Sequence, residues 1–591
     1  MTVALVLAAE ADAGTIGQLT ALGVRRVDAA EQGGQGLLTV AAAARAAGER
    51  VLIYSGEGAV PERILARLLA EHGTAAFTGV SAPGRAPASG GDAPPAPGAL
   101  VVDTPDLGVL AACAESLAAT PEAPVAVGSL LGELRRCGVT VAMVAAGPDG
   151  DGPVAVLAGP ASRDIARWAS WRMLTPAAMY GISLGLGLLA AVWFSESATR
   201  AELAAAAALL ASFLASRAGS LLAASGREDS AGALAAWVGA AAGLLTEIAV
   251  YAALAVSAGL GASRAATASA GLTGIFGRVL QHTAAATWAG AGPGGVWRLA
   301  VAAVAMLGIR HLAGLTRECR PRRPGSRARL VAERAVVFQA GERFAVIAVT
   351  VVFFGPRLTF LALLGLGAVA AAFAVAGYAA APAAPEQPAG GGPAGYRGDG
   401  DLAHWLGGFA RGMLPPLLPV LVGLFVIGVL TALGLQNLPG VLALTPAAAM
   451  LPAALGACHP HDEGMDWLVP PLLMTGECVY LAALGFSHHV RQELVFALIA
   501  AVVLRHADLG YRARCGRGLA ADRLGLGWDG RMLVAGLAAM VGLTPPAYAV
   551  VSGYLWLLFC WDYLTAWLGS AQEASVDRDG PGRRRGSAAA A

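Results

Sequence analysis

From Leu174 onward the chain runs through one apolar stretch after another, most of them close to the roughly 20 residues that a helix needs to cross a ~30 Å hydrocarbon layer. Inside lipid no water is present to satisfy backbone N–H and C=O groups, so such stretches fold as helices that pair these groups internally. The predicted spans are 174–194, 201–224, 233–258, 296–315, 344–355 and 357–379, then 414–435, 438–457, 468–486, 494–506, 532–543 and 547–568. A Pro/Gly-rich linker, 381–401, separates the two sets. This gives a polytopic all-α membrane region of about twelve helices in two six-helix halves. Charged residues make up only 14% of the chain, against about 25% in an ordinary soluble domain.

Before these spans the pattern is different. Short apolar runs at 3–8, 51–54, 75–80, 99–102, 139–144 and 154–157 alternate with Ala-rich helical stretches such as 61–71 and 107–117. Strand–helix alternation predicts an N-terminal α/β domain over 1–162 with a mainly parallel sheet. Residues 81–98, rich in Pro, Gly and Ala, read as a flexible insertion. The first residues carry no basic region, and Glu10 and Asp12 follow the apolar run at once, so 1–9 reads as a strand and not a signal peptide.

The basic residues are all Arg, and the net charge is +1, which gives no global signal for nucleic acid. Their distribution carries topology. Arg317, Arg320, Arg322, Arg323, Arg327, Arg329 and Arg334 follow the fourth span. Arg512, Arg514, Arg517 and Arg523 follow the tenth, and Arg583, Arg584 and Arg585 lie in the basic tail, 571–591. Arg-rich flanks stay on the cytoplasmic side, so the N-terminal domain and the tail are expected in the cytoplasm and the chain in the plasma membrane. The seven Cys are odd in number and form no CxxC, so neither a disulfide framework nor a zinc site is expected.

Several short strings carry a family likeness. They are Leu174-Thr175-Pro176 with Gly181-Ile182-Ser183, Trp237 with Glu247-Ile248-Ala249-Val250-Tyr251, Arg310-His311, and Gly341-Glu342-Arg343-Phe344. Further on come Asp466 to Pro471, His506-Ala507-Asp508, Tyr511-Arg512 and Gly530-Arg531. On these the chain resembles the CDP-alcohol phosphatidyltransferases, specifically an actinobacterial subgroup with a nucleotidyltransferase-like N-terminal region and a C-terminal membrane region of unknown function. The resemblance implies a transferase-like domain over 163–380 and the further membrane domain over 402–570. It also implies a homodimer, membrane lipids as partners and a place in phospholipid biosynthesis.

In that family four aspartates, in the order D-x-x-D-G-x-x-A-R-x8-G-x3-D-x3-D, hold two divalent cations on the diphosphate of a CDP-lipid. Carboxylates are the hard oxygen ligands such cations require. Here the first two acids are replaced by Ala215 and Ala218, with Gly219 kept. Strict spacing puts Ala236 and Ala240 at the last two positions, and alignment on Trp237 and Glu247 puts Gly239 and Gly243 there. Neither register leaves a ligand, so no catalytic residue is intact, no cofactor is expected, and the chain reads as a pseudoenzyme that binds lipid or serves as a scaffold. Magnesium would enter only in the alternative reading, an active transferase using displaced acids such as Glu228 and Asp229. A transporter or lipid translocator is the third reading, resting on span count alone. The N-terminal region departs in the same way. Where nucleotidyltransferases carry a Gly-rich phosphate turn, Leu7-Ala8-Ala9 leads into Glu10 and Asp12, and Glu57 stands near the usual metal-binding acid.

Other polar residues are candidates for contact with a head group: Arg310, His311, Arg505, Arg512, Arg514 and Arg531. The competing explanation for each is positive-inside charge or anchoring at the interface. Arg217 and Glu247 fall within predicted spans, where an ionisable residue is functional by default; the competing explanations are a mutual ion pair or snorkelling to the cytoplasmic surface. His459, His461, Asp462 and Asp466 form the densest metal-capable cluster, although His at i, i+2 fits no standard helical ligand spacing.

Overall fold

The computed structural model describes residues 2–7, 19–20, 24, 26–30, 34–55, 65, 69, 74–78, 98–118, 130, 134, 137, 142–143, 153–196, 198–225, 230–260, 293–318, 338–379, 398–410, 413–434, 448, 450–457, 466–514 and 524–576. The chain forms two compact units, the first centred on Met1–Gly150 and the second on Asp151–Ala223 with Glu228–Ala591.

In the first unit the strands are β1 (Thr2–Leu7), β2 (Arg26–Ala30), β3 (Arg50–Ser55), β4 (Ala75–Thr78), β5 (Gly98–Val102) and β6 (Ala142–Met143). The helices are α1 (Gly34–Ala47) and α2 (Leu107–Ala118). The strands form one sheet in the order β2-β1-β3-β5-β4-β6. β1 runs parallel to β2 and β3, β4 runs parallel to β6, and β5 is antiparallel to both its neighbours. Val51, Ile53, Leu100 and Val102 project from one sheet face into a core with Leu37, Ala41, Leu107 and Leu110 of the two helices. The alternation of these strand residues is the period-2 signal of a pleated strand. β2 was not anticipated from the sequence, because Arg26-Val27-Asp28 interrupts its apolar run. Cys113 and Cys137 are free thiols with their sulfurs 3.7 Å apart. Glu10, Asp12, Glu57, the helix expected at 61–71 apart from Leu65 and Leu69, and the insertion at 81–98 apart from Gly98 lie outside the described residues.

The run at 154–157, expected as a strand, is instead the start of a 19-residue helix, α3 (Pro153–Trp171), which belongs to the second unit. Ala155, Ser162, Ala166 and Ala169, at spacings of seven, four and three residues, form its buried stripe, so the helical period decides the conformation. The expected domain end at 162 therefore falls inside a helix. Met173 ends this segment with a positive φ of 57°. Thr175 then caps α4 (Pro176–Ser195), its hydroxyl accepting from Ala178 N at 3.1 Å, with Pro176 at the first helical position.

The helices α5 (Thr199–Ser225), α6 (Ser230–Leu260), α7 (Pro293–Glu318), α8 (Ala340–Phe354) and α9 (Pro356–Ala379) follow. After the linker come α10 (Asp401–Ala410), α11 (Leu417–Ala432), the short α12 (Leu451–Ala454), α13 (Val469–Ser487), α14 (Gln492–Arg514), α15 (Gly527–Met540) and α16 (Thr544–Val576). Among the described residues, eight segments are long and apolar enough to cross a membrane: Pro176–Ser195, Thr199–Ala223, Trp237–Gly259, Gly294–Thr316, Pro356–Phe373, Asp466–Ser487, Gln492–Arg512 and Thr544–Thr565. The chain is an integral, multi-pass membrane protein. α8, α11 and α15 coincide with three further expected spans but have only 15, 16 and 14 residues. Most of the span expected at 438–457 lies outside the described residues.

Small residues set the packing distances. Gly187 of α4 lets the Thr246 side chain of α6 sit directly against the backbone. Ser183 and Ser212 stitch α4 to α5, each hydroxyl donating to the other's carbonyl, at 2.8 and 2.7 Å. A single core runs from Ala155 to Phe559, so the helices before and after the linker share one interior. α7 packs along α14 across that division, where a side chain on Gly308 would meet Val503 at 2.6 Å.

Candidate functional site

Three places in the second unit hold the residues singled out by the sequence. The first is where the phosphatidyltransferase acids would stand. Ala215 and Ala218 are buried with Met179 of α4 and with Ala166 and Ala169 of α3. The Tyr180 ring lies between the helices. A Cβ on Gly219 would fall 2.9 Å from Tyr180 Cε1, and one on Gly239 would fall 2.5 Å from Tyr180 Cζ. Tyr180, Trp237, Val238 and Ala242 pack as one apolar cluster. Magnesium needs oxygen ligands and keeps several waters; Ala215, Ala218, Gly219 and Gly239 offer no side-chain oxygen and the space beside them is taken by apolar side chains and the Tyr180 ring, so the residues present do not fit the metal pair that the resemblance implies. Gly243 is open to its surroundings within 4 Å. Glu228 and Asp229 lie outside the described residues.

The second place is a cavity of about 240 Å³ bordered by α6, α7, α8, α9 and α14. Leu307, Leu363 and Leu364 give it apolar walls, while Arg310, His311, Gln339, Arg343, Tyr251 and Tyr511 supply its polar groups. The geometry is built around one carbonyl. Arg310 Nη2 and Arg343 Nη1 both donate to Phe338 O, each at 2.9 Å. Arg343 also donates its Nε to Glu247 Oε2 at 2.8 Å and its Nη2 to Glu247 Oε1, a bidentate pair. Tyr251 OH donates to the same carboxylate at 3.3 Å. Glu247 therefore pairs with Arg343 and not with Arg217, whose guanidinium lies 5.9 Å over the Phe213 ring. The correction is one of distance along the chain. Arg217 is on the neighbouring helix, but Arg343 arrives from a helix 96 residues away and takes both oxygens.

The His311 ring leans on Tyr511 at 5.8 Å, and its Nε2 is buried without a hydrogen-bond partner among the described residues. Both carboxylate oxygens of Glu342 are buried and unpartnered in the same sense. A guanidinium has five N–H donors. The bonds above use three on Arg343 and one on Arg310, which leaves donors on both for an anion.

The third place is an ionic layer among α13 to α16. Arg531 grips Glu477 with its Nε and with its Nη2, the latter at 2.9 Å, and donates Nη1 to Gly525 O at 2.7 Å. His506 Nε2 lies 2.9 Å from Glu477 Oε2. On the other side of α14, Arg505 and Arg512 share Asp508 and Asp562 across distances of 2.8 to 3.1 Å. Arg505, His506, Asp508 and Arg531 are all buried. Arg505, Arg512 and Arg531, candidates for head-group contact, face the chain's own carboxylates, the first two from α14, which continues as helix to Arg514, and the third from α15. The Arg514 side chain lies outside the described residues, as do His459, His461 and Asp462. Asp466 is buried in the single turn that opens α13. Glu477 and Asp562 were missed from the sequence. The signal was there, since each is an acid inside an apolar span, the same ground on which Glu247 stood out.

Around this layer the C-terminal segment closes on itself. Trp528 N donates to Gly398 O and Trp528 Nε1 to Asp399 Oδ1, at 3.0 and 2.7 Å. Asp529 accepts from Gly400 N and Ala403 N at 2.6 and 2.9 Å, capping α10 from 129 and 126 residues away. Burial pushes the Asp529 carboxyl pKa up, against the pull of these N–H groups. Residues 395–583, which contain this closure, match a family of unknown function, DUF5941. No curated protein and no solved structure matches the chain.

Proposed function

We propose that the chain is a non-catalytic relative of the CDP-alcohol phosphatidyltransferases that binds a phosphate-bearing lipid head group in the cavity beside Arg310. The observation that carries this reading is the meeting of two guanidiniums, Arg310 and Arg343, on one carbonyl beside an apolar-walled cavity that also holds an unpartnered imidazole nitrogen. Arg forks match phosphate oxygens, and leucine walls suit the acyl end of the same ligand. The Tyr180 ring between Gly219 and Gly239 supports the absence of turnover, because it fills the ground on which a diphosphate and its metals would lie. The same reading makes the N-terminal region a relic α/β domain of nucleotidyltransferase type on the cytoplasmic side. It brings α8, α11 and α15 into the bilayer toward a total of about twelve helices, and it allows a homodimer.

Two measurements test it. Purified protein given a CDP-lipid, an alcohol acceptor and magnesium should release no CMP, and magnesium-dependent release would refute the non-catalytic half. Native mass spectrometry should show phospholipid retained by the wild type and weakened about tenfold or more in Arg310→Gln, since a hydrogen bond to a charged group is worth about 1.5–3 kcal/mol. Equal retention by the two proteins would refute the cavity as the lipid site.

A further inference from the structure

α3 lies at one end of the bundle. Its last residue is separated by only four residues from Pro176, where the first span starts. Its Ala166 and Ala169 rest on Ala215 and Ala218, close to the end of the second span, which returns to the same side. α8 also packs against it. A helix with these neighbours sits at the level where the chain enters lipid.

The outward side of α3 has the chemistry of that level. Leu157, Trp168 and Trp171 are 82%, 50% and 80% exposed. Offsets of 11 and 14 residues are about three and four helical turns, so the three side chains share one stripe. Arg163, Arg167 and Arg172 are exposed beside it, and Asp164, the acid on this face, pairs with Arg167 at 3.3 Å. The Arg172 guanidinium stands 5.8 Å from the Trp171 ring centre, and Met173 beyond it is again exposed. Indole rings with an apolar body and one N–H settle at the boundary between head groups and acyl chains. Arginines flanking such a stripe extend their charged ends to the phosphates.

We propose that α3 is a surface-lying helix that seats Trp168 and Trp171 in the head-group layer of an anionic leaflet, with Arg163, Arg167 and Arg172 on the lipid phosphates. The occupant of this face is lipid and not a protein partner, because it continues directly into a span and its charge complements an anionic surface. This inference does not depend on what the cavity binds.

The test uses the full chain labelled with 5-fluorotryptophan in nanodiscs of phosphatidylcholine, with or without phosphatidylglycerol. Trp168→Phe and Trp171→Phe assign the two ¹⁹F resonances among the 12 tryptophans. Both resonances should broaden with a lipid spin-labelled near the carbonyl end of its acyl chain, more strongly when phosphatidylglycerol is present. The triple variant Arg163→Gln/Arg167→Gln/Arg172→Gln should lose that difference. Free access of both rings to a water-soluble gadolinium chelate would overturn the proposal. So would resonances silent to both reagents, which would mark contact with protein, or equal immersion of the wild type in neutral and anionic discs.

Discussion

Glu247 shows what a buried charge demands of its neighbours. Its carboxylate is 2% exposed, and it is held by two nitrogens of Arg343 and the hydroxyl of Tyr251. Removing one member of a buried pair leaves the other uncompensated, at a cost of about 3–5 kcal/mol, whereas replacing both with apolar groups is often tolerated. Glu247→Gln should therefore lower the thermal midpoint of the detergent-solubilised protein sharply, and Glu247→Leu/Arg343→Met should recover much of the loss. Gly239 poses a problem of volume. A methyl there would press on Tyr180, so Gly239→Ala should cost about 1–3 kcal/mol and Tyr180→Leu in the same chain should relieve it, read by the same melting assay. The sequence located Glu247 because an acid inside an apolar run is conspicuous. It could not identify the partner, since Arg343 is remote in the chain and comes near only because α9 packs against both α6 and α8. The same limit hid the roles of Arg505 and Arg531. An Arg close to a predicted span end looks the same whether it snorkels to the surface or turns inward to Glu477 and Asp562.

Whole helices depend on these residues for their placement. α15 is held to α13 by Arg531 and Glu477, and α16 to α14 by Asp562 with Arg505 and Arg512. Glu477→Gln should loosen α15, measurable as faster amide exchange across Gly527–Met540 than across Gln492–Arg514, whose span is 83% buried. α10 has only 10 residues and relies on Asp529 for its cap. Asp529→Ala should cost about 1 kcal/mol, in the range of a lost N-cap. The pH dependence has a fixed sign. Burial raises this carboxyl above its unfolded value, so the folded chain holds the proton more tightly. The stability it adds is complete below the unfolded pKa and is lost as pH rises through the folded one. Asp529→Asn should lack that slope. The long helices were legible because twenty apolar residues allow few other structures in lipid. α3 was misjudged at 154–157 because a four-residue apolar window cannot separate a strand from the first turn of a helix. Its alanine stripe appears only over the full 19 residues.

At the scale of the molecule the second unit is one packed body from α3 to α16, and the linker at 381–401 divides the sequence without dividing the core. Composition shifts reveal linkers, but they carry no record of which helices meet afterwards, and the packing of α7 on α14 across the linker had no local signature. The clasp between Gly398–Gly400 and Trp528–Asp529 sets an order of events during synthesis. When Gly400 is joined to the growing chain, the carboxylate that will accept its N–H is still 129 residues from being made, on the order of ten seconds at ordinary translation rates. Through that interval Trp405 and Phe409, 62% and 66% exposed even in the finished protein, wait beside an untied helix start. Cellular insertion factors and proteases thus have a window in which to act on this segment, and it shuts only when the penultimate helix has been delivered.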